Sequence, residues 1–299
     1  MHDAPIEFFN RYTSRIETER VYGEAWLRWT LQNPFGKLAL HLFAKRPLFA
    51  AWYGWQMSRP ATCAKIAPFI AQFGLDAGEF VKRPQDFTSF NDFFFRALKP
   101  SARPVDADPR AVIFPADGRH LGFANAAQAS GVFVKGQRFD IYALLGDTAL
   151  AARFRGGALV FSRLCPVDYH RFHFPVAGTP SETQLLNGPL FSVNPLALRR
   201  NLANLWENRR WLTRIETANL GTVLMLEIGA TNVGSAVQTF RASAPMEKGS
   251  EKGFFQFGGS ATATLFEPGR VRLSDDLLTH SRECRELYAR VGDRMALSV

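Results

Sequence analysis

The sequence predicts an α+β protein, with a helical N-terminal region followed by a mainly antiparallel β core. Two observations carry this expectation. Residues 1–100 are dominated by apolar and aromatic runs interrupted by proline, whereas from about Val112 short β-prone runs are separated by Gly, Pro and Asn. No strand–helix alternation recurs, which argues against a doubly wound parallel sheet. The chain has 299 residues and 46% hydrophobic content, enough for one large domain or two closely packed ones. The change in texture divides it into a helical region, 1–100, and a β-rich core, 101–299, that carries the candidate chemistry.

In chain order, the segment Asn33 to Arg59 (NPFGKLALHLFAKRPLFAAWYGWQMSR) reads as a short apolar helix, a break at Pro47 and a second, aromatic helix. Its cations Lys37, Lys45, Arg46 and Arg59 sit among Leu, Phe, Trp and Tyr, a composition suited to the interface of an anionic bilayer. A pair of core helices with cations turned to water fits the same pattern. The strand candidates are AVIFPA, GALVFSRL, GTVLMLEIG, SAVQTFRA and TATLF. A helix near Asp275–Tyr288 and a terminal strand close the chain.

A net charge of +9 and a pI of about 9.8 favour polyanionic partners. Without zinc-finger spacing, an RNP-like motif or a long Lys/Arg run, nucleic acid is the weaker option, and the 27 phenylalanines tilt the balance toward lipid. Cys63, Cys165 and Cys284 are odd in number and far apart, with neither metal-ligand nor disulfide spacing. The charged N-terminus lacks a secretory apolar core, and no run reaches 18 apolar residues. The expectation is a cytosol-facing protein without a membrane span.

Three short motifs stand out chemically. Phe114-Pro115-Ala116-Asp117-Gly118 sets a carboxylate on a turn, Asp168-Tyr169-His170-Arg171-Phe172-His173 holds two histidines three apart, and Phe257-Gly258-Gly259-Ser260-Ala261 precedes a β-prone run. Each has an ordinary reading, as a β-turn, as backbone-satisfied rings and as a Gly-Gly turn. Together they supply a nucleophile (Ser260), a base (His173) and an orienter (Asp117), without the Gly-x-Ser-x-Gly elbow of a common hydrolase. A glycine at 259 leaves its carbonyl open, so Ser260 is placed to attack the peptide bond before itself.

These blocks, with SFNDFFFRALKPSARPV (89–105), VKGQRFDIYALLG (134–146), LFSVNPLALRR (190–200), WENRR (206–210), IGATNVGSAV (228–237) and KGSEKGFFQFGGSA (248–261), resemble the phosphatidylserine decarboxylase family over most of the chain. The resemblance implies autocatalytic serinolysis at Gly259/Ser260, with Asp117 and His173 as processing partners. Residues 1–259 would form a β chain and 260–299 an α chain capped by a pyruvoyl group made from Ser260. That covalent cofactor, without metal or PLP, would bind the amine of phosphatidylserine as a Schiff base, and phosphatidylethanolamine would be released. His170 is assigned to the substrate, with an ordinary histidine pKa of about 6.5 suiting proton transfer near neutrality. The family reading gives the basic aromatic segment a purpose as a membrane contact through Lys45, Arg46, Trp52 and Trp55. It implies a peripheral enzyme on the cytoplasmic face of the cell membrane and leaves room for a homodimer. One departure is Ala261, where the family usually has Thr. The rival readings are an uncleaved, non-catalytic binder of anionic lipid and a pyruvoyl decarboxylase of a related serine-headgroup lipid.

Overall fold

The computed structural model describes residues 5–19, 29, 33, 47–129, 139–230, 236–256, 258 and 260–299. Of the expected features, Lys37, Lys45, Arg46, Gly259 and the stretch 131–138 lie outside the described residues.

The architecture is α+β, as the sequence predicts. Its strands are β1 (Glu7–Asn10), β2 (Arg15–Thr18), β3 (Ala111–Ile113), β4 (Gly118–Phe123), β5 (Leu159–Leu164), β6 (Arg171–His173), β7 (Thr179–Pro180) and β8 (Gln184–Leu186). They continue with β9 (Arg210–Thr217), β10 (Gly221–Ile228), β11 (Ala236–Gln238), β12 (Glu251–Phe255), β13 (Ser260–Leu265), β14 (Val271–Leu273), β15 (Glu286–Ala289) and β16 (Arg294–Ser298). A ten-stranded sheet runs β2-β1-β15-β4-β5-β13-β10-β9-β7, with β8 also on β9. Its only parallel pairing among the described residues is β1 with β15. A smaller sheet, β11-β12-β6, and a third, β14-β16-β3, complete the β structure.

The strand runs read from sequence all contain strands. Those at the centre of the large sheet are buried on both faces, so they appear as nearly continuous apolar stretches. The two faces alternate along each strand. On one face, Phe161, Leu226, Ala261 and Ala263 pack against Leu144 and Phe154 of helices α4 (Ile141–Leu145) and α5 (Thr148–Phe154), which follow α1 (Pro47–Met57), α2 (Ile66–Phe73) and α3 (Phe90–Phe94). On the other, Val160, Leu164 and Met225 meet Phe172 and Phe255 of the small sheet. The large sheet is therefore a middle layer, with the small sheet on one side.

Two expectations need correction. The helix near the C-terminus, α6 (Asp275–Arg282), ends before Tyr288, because Cys284 takes a left-handed conformation (φ 56°) and the chain restarts as β15. The phenylalanines that suggested lipid contact are largely core. Phe69, Phe80, Phe87, Phe90, Phe93 and Phe94 form a buried cluster under α1–α3, joined by edge-to-face ring pairs such as Phe69–Phe93 at 5.8 Å. In addition, the stretch Glu7–Thr18 inside the mostly helical first hundred residues is a strand pair, and β1 ties it to β15 near the other end of the chain.

Candidate active site

Asp117 follows β3 through the tight Phe114-Pro115-Ala116 turn and is almost wholly buried. Its carboxylate accepts from Arg103 Nε (2.8 and 3.0 Å), pairs with Arg103 Nη2 (2.7 Å) and accepts from the backbone N–H of Val291 (2.9 Å). Arg103 is itself shared with Glu79 at 3.1 Å. The predicted orienter is thus tied to an arginine that the motif reading missed. Arg103 belongs to the 89–105 block, and an arginine there was the available signal.

The two histidines sit at and just before β6. The backbone N–H of His173 donates to Pro115 O (2.7 Å), which draws β6 to the turn that carries Asp117. His173 Nδ1 lies 2.9 Å from Gly249 O, and Nε2 lies 3.3 Å from the hydroxyl of Tyr169. A carbonyl only accepts, so Nδ1 carries the proton and Nε2 the lone pair. No hydrogen bond joins His173 to Asp117. Burial lowers the His173 pKa, while the Gly249 carbonyl and the charges of Glu251 and Asp117 oppose the fall.

His170 Nδ1 meets Asp168 O at 3.0 Å and is protonated by the same reasoning. Its ring is fully buried against Phe94 (centroids 3.9 Å), and among the described residues Nε2 makes no hydrogen bond of good geometry. Burial pulls its pKa down to about 3, with Arg96 acting in the same direction. The sequence reading placed a histidine titrating near neutrality here, whereas the fold holds a neutral ring. The backbone of Gly258 lies beside that ring.

Ser260 opens β13, between β5 and β10, opposite Leu164. It is completely buried, and its Oγ has no hydrogen-bond partner among the described residues. Gly258, two residues before it, has φ 142°, a conformation that side chains disfavour. By the pleat, Ser260, Thr262 and Thr264 share the face turned to the small sheet, the layer that carries both histidines. Ala261 points to the opposite face, among Leu121, Phe161 and Ala263.

A sequence model of the phosphatidylserine decarboxylase family matches residues 90–294, a span that contains Asp117, His170, His173 and Ser260. The chain belongs to the phosphatidylserine decarboxylase family. It is 38% identical to the phosphatidylserine decarboxylase proenzyme of Fusobacterium nucleatum over 294 residues, 98% of either chain. Identity to the proenzymes of Chlamydia caviae and Desulfitobacterium hafniense is 41% and 35%, again over 98% of both chains.

The site thus holds a buried Ser260 Oγ without a hydrogen-bond partner among the described residues, a neutral His170 ring beside the Gly258 backbone, and a glycine at 258 with φ 142°. A cavity of about 680 Å³ has Asp117, Arg103, Arg96, Arg119, Asp168 and Tyr169 on its wall. Among the described residues no group of three His, Cys, Asp or Glu is placed to hold a metal ion.

A second buried site escaped the motif reading. Lys252 Nζ of β12 lies 2.8 and 2.9 Å from the carboxylate of Glu227 on β10, and both side chains are fully buried. Gln238 of β11 bonds to both partners at 2.8 Å. The signal was present: a lone Glu inside GTVLMLEIG has to find a buried cation.

Proposed function

We propose that this chain is a self-cleaving precursor that decarboxylates phosphatidylserine to phosphatidylethanolamine through a pyruvoyl group formed at residue 260. The observation that carries the proposal is a fully buried serine hydroxyl with no hydrogen-bond partner among the described residues, at the start of a central strand. The relatives' printed name, proenzyme, agrees with processing.

In processing, His173 takes the proton of Ser260, with the charge of Asp117 raising the affinity of His173 for it. The serine oxygen bonds to the Gly259 carbonyl carbon while the carbon–nitrogen bond breaks, leaving an ester and a free amine. Elimination of the new carboxylate leaves dehydroalanine at residue 260, and hydrolysis yields pyruvoyl and ammonia. Both products stay in the fold. The shorter chain, 260–299, supplies β13 and β15, which are interior strands of the large sheet.

The pyruvoyl carbonyl supplies an electron sink that holds the substrate amine while its carboxylate leaves. His170 accepts a proton at Nε2 from the substrate's ammonium and returns one to the carbon that has lost carbon dioxide. Because burial keeps His170 neutral, it begins as an acceptor. A second reading exchanges the histidines, and it is favoured by the orphaned His170 Nε2 beside Gly258.

The substrate's acyl chains stay in a bilayer, so the site has to work at a membrane surface. Among the described residues no helix is long and apolar enough to cross one. Helix α1 instead exposes Leu48 (85%), Trp52 (51%) and Trp55 (59%), an i, i+4, i+7 stripe suited to lying in the headgroup region of an anionic leaflet. Arg59 stacks over Trp55 at 5.5 Å and adds a cation beside the stripe.

The deciding experiment is the intact mass of the purified protein under denaturing conditions. Two species are expected, residues 1–259 and residues 260–299 beginning with pyruvoyl, with one unbroken chain for Ser260→Ala. An unbroken parent chain after long incubation at neutral pH would leave the non-catalytic lipid-binding reading standing.

A further inference from the structure

The mechanism above gives His173 a base's role but leaves open what holds its ring. Asp117, the residue expected to do so, spends its carboxylate on Arg103 and the Val291 N–H. The two groups that touch the imidazole are the Gly249 carbonyl at Nδ1 and the Tyr169 hydroxyl at Nε2. Tyr169 is 5% exposed, and among the described residues its hydroxyl has no other hydrogen-bond partner. Its ring lies 5.7 Å from the imidazole, and it reaches the wall of the 680 Å³ cavity, which His173 does not.

We infer that Tyr169 is a positioning residue for self-cleavage, fixing the ring of His173 with Nε2 as the nitrogen that takes the proton. The inference rests on the proposed self-cleavage at Ser260. Its logic is a matter of donors and acceptors. Gly249 O can only accept, so the ring nitrogen that meets it, Nδ1, carries the proton. The phenol can then donate to the Nε2 lone pair, and it would have to turn away from an N–H in the other tautomer. Both contacts therefore favour the same tautomer. At 3.3 Å the phenol bond is long, so it biases the ring without closing Nε2 to another hydroxyl. Tyrosine suits the task because burial pushes its own pKa above the usual value, which keeps the proton on oxygen at any working pH.

A donor to Nε2 stabilises the neutral imidazole. The other groups around His173 are Glu251 on β12 and Asp117 beyond β3, whose charges raise its proton affinity, and Arg171 on β6, which lowers it. Against that background, Tyr169→Phe removes only the hydroxyl. His173 should then bind its proton roughly five-fold more tightly, and the acid limb of self-cleavage should move to higher pH.

The test has two arms. In the uncleavable Ser260→Ala precursor, long-range ¹⁵N–¹H NMR reads the tautomer and titration of His173 with and without Tyr169→Phe. Expected are an Nδ1–H tautomer in the precursor and a higher pKa when the hydroxyl is absent. An Nε2–H tautomer in the precursor would overturn the inference even if Tyr169→Phe did not fold, and so would an unchanged pKa. In the second arm, self-cleavage is followed by mass against pH in the Ser260 protein. A pH profile unmoved by Tyr169→Phe would likewise refute the role. If the Ser260 protein never cleaves at any pH, the proposed function fails, and the NMR arm still reports separately on whether Tyr169 governs His173.

Discussion

Replacing Lys252 by methionine removes a cation from the Glu227–Lys252–Gln238 cluster and leaves a carboxylate in a site closed to water. At 2.8–2.9 Å the pair's mutual attraction is about 6 kcal/mol gross for an effective dielectric of about 20. Desolvating the two ions costs several kcal/mol each, so the intact pair contributes little net stability. Burial pushes Glu227 up and Lys252 down in pKa, and each partner pulls the other back. Breaking the pair is another matter: an unpaired buried charge costs about 3–5 kcal/mol, a large share of a stability of roughly 5–15 kcal/mol. The cluster joins β10 of the large sheet to β12, and β12 pairs with β6 and thus with His173. Lys252→Met should therefore lower the urea midpoint of the Ser260→Ala precursor and, in the Ser260 protein, slow cleavage. Restoring neutrality with Glu227→Gln as well should recover most of the lost stability. A single variant within about 1 kcal/mol of its parent, or a double variant as weak as the single, would refute the clamp.

The histidine roles separate on a gel run beside a carbon dioxide assay: Asp117→Ala and His173→Ala should leave mostly precursor, a loss of roughly 10²–10⁴-fold in cleavage, while His170→Ala should cleave yet decarboxylate poorly. The reverse pattern would exchange the two assignments. Ala261→Thr should leave the cleavage rate unchanged, since that side chain faces away from Ser260, and a marked acceleration would show that the family's hydroxyl does act across the strand. Trp52→Ser with Trp55→Ser should spare self-cleavage but weaken binding to phosphatidylserine vesicles by roughly ten-fold or more, whereas salt should release the parent protein only in part; unchanged binding would make α1's stripe irrelevant to the membrane. Finally, Glu19 is buried, which raises its pKa, yet Arg163 and Arg119 hold it down to about 2. Its contribution, on the order of 3 kcal/mol, is complete above the unfolded value near 4.5 and is lost as pH falls toward 2. Chemical denaturation should accordingly show Glu19→Gln less stable at pH 7 and level with its parent near pH 2, and equal stability at pH 7 would refute the ion-pair account.

The parts of this fold that sequence makes legible are those where one physical demand dominates. β5, β10 and β13 are buried on both faces, so apart from the paired Arg163 and Glu227 their residues are apolar or small and the runs announce themselves. β2 is the sheet's edge strand and β1 lies next to it; charged side chains on RIET are tolerated there and blunt further pairing, and the charges on EFFN and RIET hide the strand pattern. The site divides in the same way. Asp117, His170, His173 and Ser260 are proposed by residue type and by resemblance, because the proposed self-cleavage needs a nucleophile, a base and a carboxylate. Their partners could not be picked out that way, because a partner is set by which layer a side chain faces. The pleat turns Ser260 to the face that meets the small sheet and Ala261 to the opposite face, and the turn through Pro115 brings His173 near Asp117 without joining the two. Tyr169 immediately precedes the two histidines in the quoted motif, yet only the folded chain sets its hydroxyl against His173 Nε2. A triad read from sequence thus names the reacting types, and the hydrogen bonds decide which neighbour orients the base.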